Sequence, residues 1–108
     1  MHASARQATL LWNLGWSFRP IPIAKPMHTA AEISMYPLTG DYRPPIQAFI
    51  DRLNTYPDLM VQTNSLSTEV RGTLDRVMTI LAEEIERSAT SGPQLVFVIK
   101  ILPGLAPP

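Results

Sequence analysis

Residues 59–73 read Leu-Met-Val-Gln-Thr-Asn-Ser-Leu-Ser-Thr-Glu-Val-Arg-Gly-Thr, and the fold follows from how this stretch divides. Leu59, Val61 and Val70 stand among Thr, Ser and Asn. That pattern predicts two short strands, about 59–64 and 67–72, joined by a turn near Ser65 and Leu66. Gly72 ends the pair. Thr73 suits a helix N-cap, because its hydroxyl can accept a free backbone N–H.

Outward from this hairpin, each side adds one strand and one helix. Upstream, Ala31, Ile33 and Met35 alternate with Glu32, Ser34 and Tyr36, which is the period of a strand over 31–38. Thr39-Gly40-Asp41 is a turn signal, and Pro44-Pro45 fits the first turn of a helix. Ile46, Phe49, Ile50 and Leu53 then form one helical stripe, stopped at Tyr56-Pro57-Asp58. Downstream, Leu74, Val77, Met78, Leu81 and Ile85 make a second stripe, ending before Ser91-Gly92-Pro93. The last strand, Leu95 to Leu102, is apolar at every position except Lys100, which predicts burial on both faces and a central place in the sheet.

The order β-α-β-β-α-β is that of an α+β, ferredoxin-like sandwich, with two helices on one face of a four-stranded antiparallel sheet. Helices cover only that face, so Val96, Val98 and Leu102 should project from the other. The roughly 73 residues of 30–102 also form a marginal core. Both points predict a homodimer or homotetramer assembled through the sheet.

The chain has 108 residues, enough for one domain and too few for two, and 45 % of them are apolar, enough to build a core. Arg6, Arg19 and Lys25 give residues 1–29 a charge of +3 with no acid, whereas the remainder is −3. Pro20, Pro22 and Pro26 forbid a helix or central strand there. Residues 1–29 are therefore expected to be a flexible extension, or the start to be misassigned, with translation beginning at Met27. Residues 30–102 are expected to be the folded unit, and the proline-rich 103–108 a tail.

Composition narrows function by exclusion. A net charge of zero argues against a nucleic-acid partner, and no apolar run is long enough to cross a membrane. Without a convincing targeting peptide, a cytoplasmic location is expected. There is no cysteine, and the only histidines are His2 and His28. The body thus lacks a base poised near neutral pH and good zinc ligands, so no catalytic residue, metal or cofactor is expected. A base such as Glu32 or Glu69 is the third-ranked reading.

Thr63-Asn64-Ser65-Leu66-Ser67-Thr68 is the most informative candidate, with five small polar residues of six. Asn and Ser are ordinary in hairpin turns. The same groups also suit a polar lining for a neutral heterocycle with ring nitrogens and an exocyclic amine. Tyr36 either covers a subunit contact or stacks on a flat ligand, with Glu32 on the same strand face supplying an acceptor. Lys100 reads as a snorkelling residue and Arg71 as a solvated one. Glu83, Glu84 and Glu86 read as a solvated helix face.

From about Ala31 to Leu102 the chain resembles the small thiamine-binding proteins of the YkoF-like family. The resemblance lies in Ile33-Ser-Met-Tyr-Pro-Leu38, in Thr63-Asn-Ser-Leu-Ser-Thr68 followed by Gly72, and in Val96-Phe-Val-Ile-Lys-Ile101. It implies a ferredoxin-like, sheet-associated dimer or tetramer that binds thiamine or its hydroxymethylpyrimidine portion without catalysis. By position it implies ligand contacts from Thr63, Asn64, Ser67 and Thr68, with Tyr36 against the ring and Glu32 toward the cationic thiazolium. The alternative is a structural or regulatory module that uses its sheet to oligomerise or to engage another protein.

Overall fold

Alternation along the strands sorts the side chains into a covered and an open face, and the architecture follows from that sorting. A computed structural model describes residues 26–106. Its elements are β1 (His28–Pro37), α1 (Arg43–Leu53), β2 (Met60–Thr63), β3 (Thr68–Thr73), α2 (Leu74–Ser91) and β4 (Leu95–Leu105). All strand pairs are antiparallel, in the order β2-β3-β1-β4. This is the expected ferredoxin-like arrangement. The expectations for the extension and the start site concern residues 1–29, of which 1–25 lie outside the described residues, while His28 and Thr29 belong to β1.

On β1 the odd positions Ala31 and Ile33 are buried, as is Val70 opposite Ala31 on β3. They meet Phe49 and Leu53 of α1 and Val77, Ile80 and Leu81 of α2 in one core. Phe97 of β4 joins it by stacking at a tilt on Phe49, with ring centroids 5.3 Å apart. Thr73 caps α2 as its position predicted, accepting from Arg76 N–H. Gly72 is needed because the chain passes close by: a Cβ there would lie 3.0 Å from Leu59 Cδ2 and 3.3 Å from the Asp58 carbonyl.

Several expectations are corrected. First, β4 lies at the sheet edge, paired only with β1, and is not central. Its apolar run has two separate causes. Phe97 and Ile99 pack on the core, whereas Val96, Val98 and Leu102 stand on the uncovered face, each about half exposed. Second, β4 does not stop at Leu102 but continues to Leu105. Gly104 takes a left-handed φ of 75°, and a bulge lets Leu105 pair with His28 after Thr29 has paired with Pro103. An edge strand tolerates Pro103 because the missing N–H faces no neighbour. Third, Glu84 is no solvated residue: it is 1 % exposed. It continues the buried stripe of Val77, Ile80 and Leu81 and turns its carboxylate between the two helices. Met78, assigned to that stripe, is exposed.

Candidate functional site

The hairpin of residues 59–73 ends in a turn held by one side chain. Asn64 Oδ1 accepts from the backbone N–H of Leu66 at 2.8 Å and of Ser67 at 2.9 Å, and Asn64 N–H donates to the Ser67 carbonyl at 3.0 Å. This turn leaves Leu66 at the tip, 86 % exposed. Thr63 and Thr68 are the last directly opposed pair of β2 and β3, and both point to the helix side. Their hydroxyls lie 3.1 Å apart in a mutual hydrogen bond.

Between this turn and α1 lies a cavity of about 120 Å³. One wall is apolar, built from Ile33 and Met35 of β1 and Ile46, Phe49 and Ile50 of α1. The other is residues 63–68. None of the residues lining it is ionisable. The Thr pair sits where the walls meet, and Thr68 is buried. Such a space can hold a flat apolar body and offer its edge one hydroxyl donor and several acceptor lone pairs.

The structure brings together Thr63, Asn64, Ser67 and Thr68 around this cavity. Tyr36 and Glu32 stand apart from it. Their strand alternates with the buried Ala31 and Ile33, so both face the open side of the sheet. Glu32 forms a 3.7 Å ion pair with Lys100 across the β1–β4 ladder, and Tyr36 lies opposite Val96. Asn64 reaches the cavity, but its carbonyl oxygen is already committed to the turn. Glu69 pairs with Arg71 on the open face. Among the described residues no three His, Asp or Glu side chains converge in a metal-binding group, and no helix is long and apolar enough to cross a membrane.

The sequence reading missed the apolar wall, because Ile46, Phe49 and Ile50 carry the same stripe whether they fill a core or border a cavity. It also missed the polar clamp between the helices. Arg52 Nε donates to Glu84, Arg52 Nη2 donates to Ser88 Oγ at 2.7 Å, and Tyr56 OH donates to Glu84 Oε1 at 2.7 Å. Burial pushes the Glu84 carboxyl up, but the bonds from Tyr56 and Arg52 outweigh it and hold the group below the usual glutamate range. The hydrogen bond to Glu84 raises the Tyr56 hydroxyl above its ordinary value. The exposed Asp58 carboxyl is lowered by its bond from Arg76.

No protein-family model and no curated protein sequence matches the chain. Solved structures do. A Thermotoga maritima protein, provisionally named for thiamine biosynthesis or salvage, superposes with a TM-score of 0.62 at 17 % identity, over 68 % of this chain and 81 % of that one. A Streptococcus pneumoniae protein gives a TM-score of 0.65 at 21 % identity, over 69 % and 84 %. A hypothetical protein from Methanocaldococcus jannascii gives 0.61 at 26 %, over 68 % and 77 %. The likeness is one of fold.

Proposed function

We propose that this chain binds thiamine or a related aminopyrimidine without transforming it, as a cytoplasmic homodimer or homotetramer assembled through the open face of its sheet. The observation that carries the reading is the Thr63–Thr68 hydroxyl pair at the seam of a ring-sized cavity with one apolar wall, one polar wall and no charged lining residue. A cavity lined by no acid or base supports binding over general acid–base catalysis. The name given to the Thermotoga maritima neighbour, the one of the three above named for a metabolic role, supports the choice of ligand. Tyr36, Val96, Val98 and Leu102 support assembly, since they leave a band of half-exposed apolar groups along one sheet edge.

Calorimetric titration of the full chain with thiamine, and separately with hydroxymethylpyrimidine, tests the ligand. Saturable heat near one equivalent per chain is expected. A flat trace with both compounds from folded protein would remove the ligand and leave the second reading, a structural or regulatory module. That second reading has its own support in the same apolar band, which suits a protein partner whether or not the cavity is filled.

A further inference from the structure

Leu38 N–H donates to the Gln94 carbonyl at 2.8 Å, one rung beyond the Pro37–Leu95 pair. Antiparallel rungs alternate between bonded and non-bonded pairs, so the bonded rungs that follow are Tyr36–Val96, Ser34–Val98, Glu32–Lys100 and Ala30–Leu102. The N–H and C=O groups of Leu95, Phe97, Ile99 and Ile101 therefore point away from β1, and among the described residues no strand lies on that side. Both faces of β4 are apolar and incompletely covered. Val96, Val98 and Leu102 are about half exposed on the open face, and on the helix side none of Leu95, Phe97, Ile99 and Ile101 is fully buried. Native sheets blunt such an edge with charges, prolines or bulges, or they cover it. Here the one charge, Lys100, faces the open side and pairs with Glu32, while Pro103 and the bulge come only past Leu102.

The sequence holds a segment that matches this edge. Leu10, Trp12, Leu14, Trp16 and Phe18 alternate with Leu11, Asn13, Gly15 and Ser17, which is the period of a strand with one large apolar face and no charge. The segment lies outside the described residues, but its point of attachment does not: His28 opens β1 and pairs with Leu105, at the C-terminal end of β4. Residues 19–27 can reach up to about 30 Å, and a strand added beside β4 lies about 10 Å from β1. A strand parallel to β4 ends beside Leu105 and needs only a short return to His28. An antiparallel one ends beside Leu95, about 34 Å away along β4 and beyond that reach. Pro20, Pro22 and Pro26 suit such a crossing, which needs no ladder hydrogen bonds.

We propose that the outer edge of β4 is the docking site of residues 10–18 of the same chain, laid parallel to β4 as a fifth strand. Tethering gives this occupant an effective concentration of about millimolar, which favours it over a second copy free in solution.

The test is amide hydrogen exchange, followed by NMR, on the full chain and on its Leu10→Asp, Leu14→Asp double variant. The variant changes no residue of the described fold and keeps Trp12 and Trp16, the chain's only tryptophans, as fluorescent reporters of the segment. The amides of Leu95, Phe97, Ile99 and Ile101 should exchange at least about tenfold more slowly in the parent than in the variant. Those of Val96, Val98, Lys100 and Leu102, bonded to β1, should exchange alike in both and so show that the fold is unchanged. Acrylamide should quench the tryptophans more readily in the variant.

Fast exchange of the four outward amides in both chains would overturn the proposal, because the edge would then be open. Equally slow exchange in both would also overturn it, because something other than residues 10–18, such as a second copy of β4, would then hold the edge. Slow exchange in the parent that disappears on dilution would give the edge to the segment of another copy and overturn docking within one chain.

Discussion

Removing the Arg52 guanidinium tests the clamp that joins the helices. In Arg52→Ala the Glu84 carboxylate, 1 % exposed, keeps the Tyr56 hydroxyl at 2.7 Å and a distant Arg87 at 3.7 Å. Breaking a buried ion pair from one side costs about 3–5 kcal/mol. Here Arg52 is 27 % exposed, so water can enter the vacated space, and two partners stay behind. We expect a loss of about 2–3 kcal/mol, below the full cost of a sealed pair. Glu84→Gln should cost less, near ~1 kcal/mol, because a neutral amide can still accept from Tyr56 and leaves no buried charge.

Urea unfolding followed by far-ultraviolet circular dichroism reads both changes. With a slope of about 1 kcal/mol per molar urea, Arg52→Ala should lower the midpoint by about 2 M. The effect depends on pH with a definite sign. A carboxyl whose folded pKa is depressed contributes stability above its unfolded value, near about 4.3, and loses that contribution as pH falls through the folded value. Glu84 is such a group in the parent chain. The gap between parent and Arg52→Ala should therefore close as pH drops below about 4. A variant as stable as the parent at pH 7, or a gap that stays constant down to pH 3, would refute the clamp.

Gly72→Ala should destabilise by about 1–2 kcal/mol in the same assay, since its methyl would crowd both Leu59 and the Asp58 carbonyl. Asn64→Ala removes the acceptor of two turn hydrogen bonds and should cost about 1–2 kcal/mol, with a weaker cavity site as a further consequence if the turn loosens. Val98→Lys puts a charge on the open face; light scattering should show the full chain at twice its mass or more and this variant at the mass of a monomer. An unchanged mass in the variant would mean that subunits do not meet through this face.

The strand and helix order was legible because each segment carried one clean period: two on β1, three to four on both helices. The place of β4 was not. An apolar run looks the same whether one sheet has covered it twice or the helices have covered it once, and only the β3-α2-β4 crossover decides that β4 lands beyond β1. Glu84 was misread because three acids in four residues resemble a wet face, although its spacing of three from Leu81 and seven from Val77 already put it on the buried stripe. Thr63, Asn64, Ser67 and Thr68 gather at one cavity, whereas Tyr36 was grouped with them through the resemblance and Glu32 for its charge, and strand parity sends both to the other side of the sheet.

That parity has a consequence at the hairpin itself. Thr63 pairs with Thr68 and Gln62 with Glu69, so inward and outward positions alternate residue by residue. A slip of one position in β2 and β3 would rotate both threonines out and deliver Gln62 and Glu69 inward, placing a carboxylate where the cavity now has none. The turn that Asn64 closes therefore acts as the key of an alignment: it specifies not only that two strands pair, but which chemical surface the cavity inherits. An insertion or deletion between residues 63 and 68 would change the kind of molecule the cavity can accept before it changed the fold.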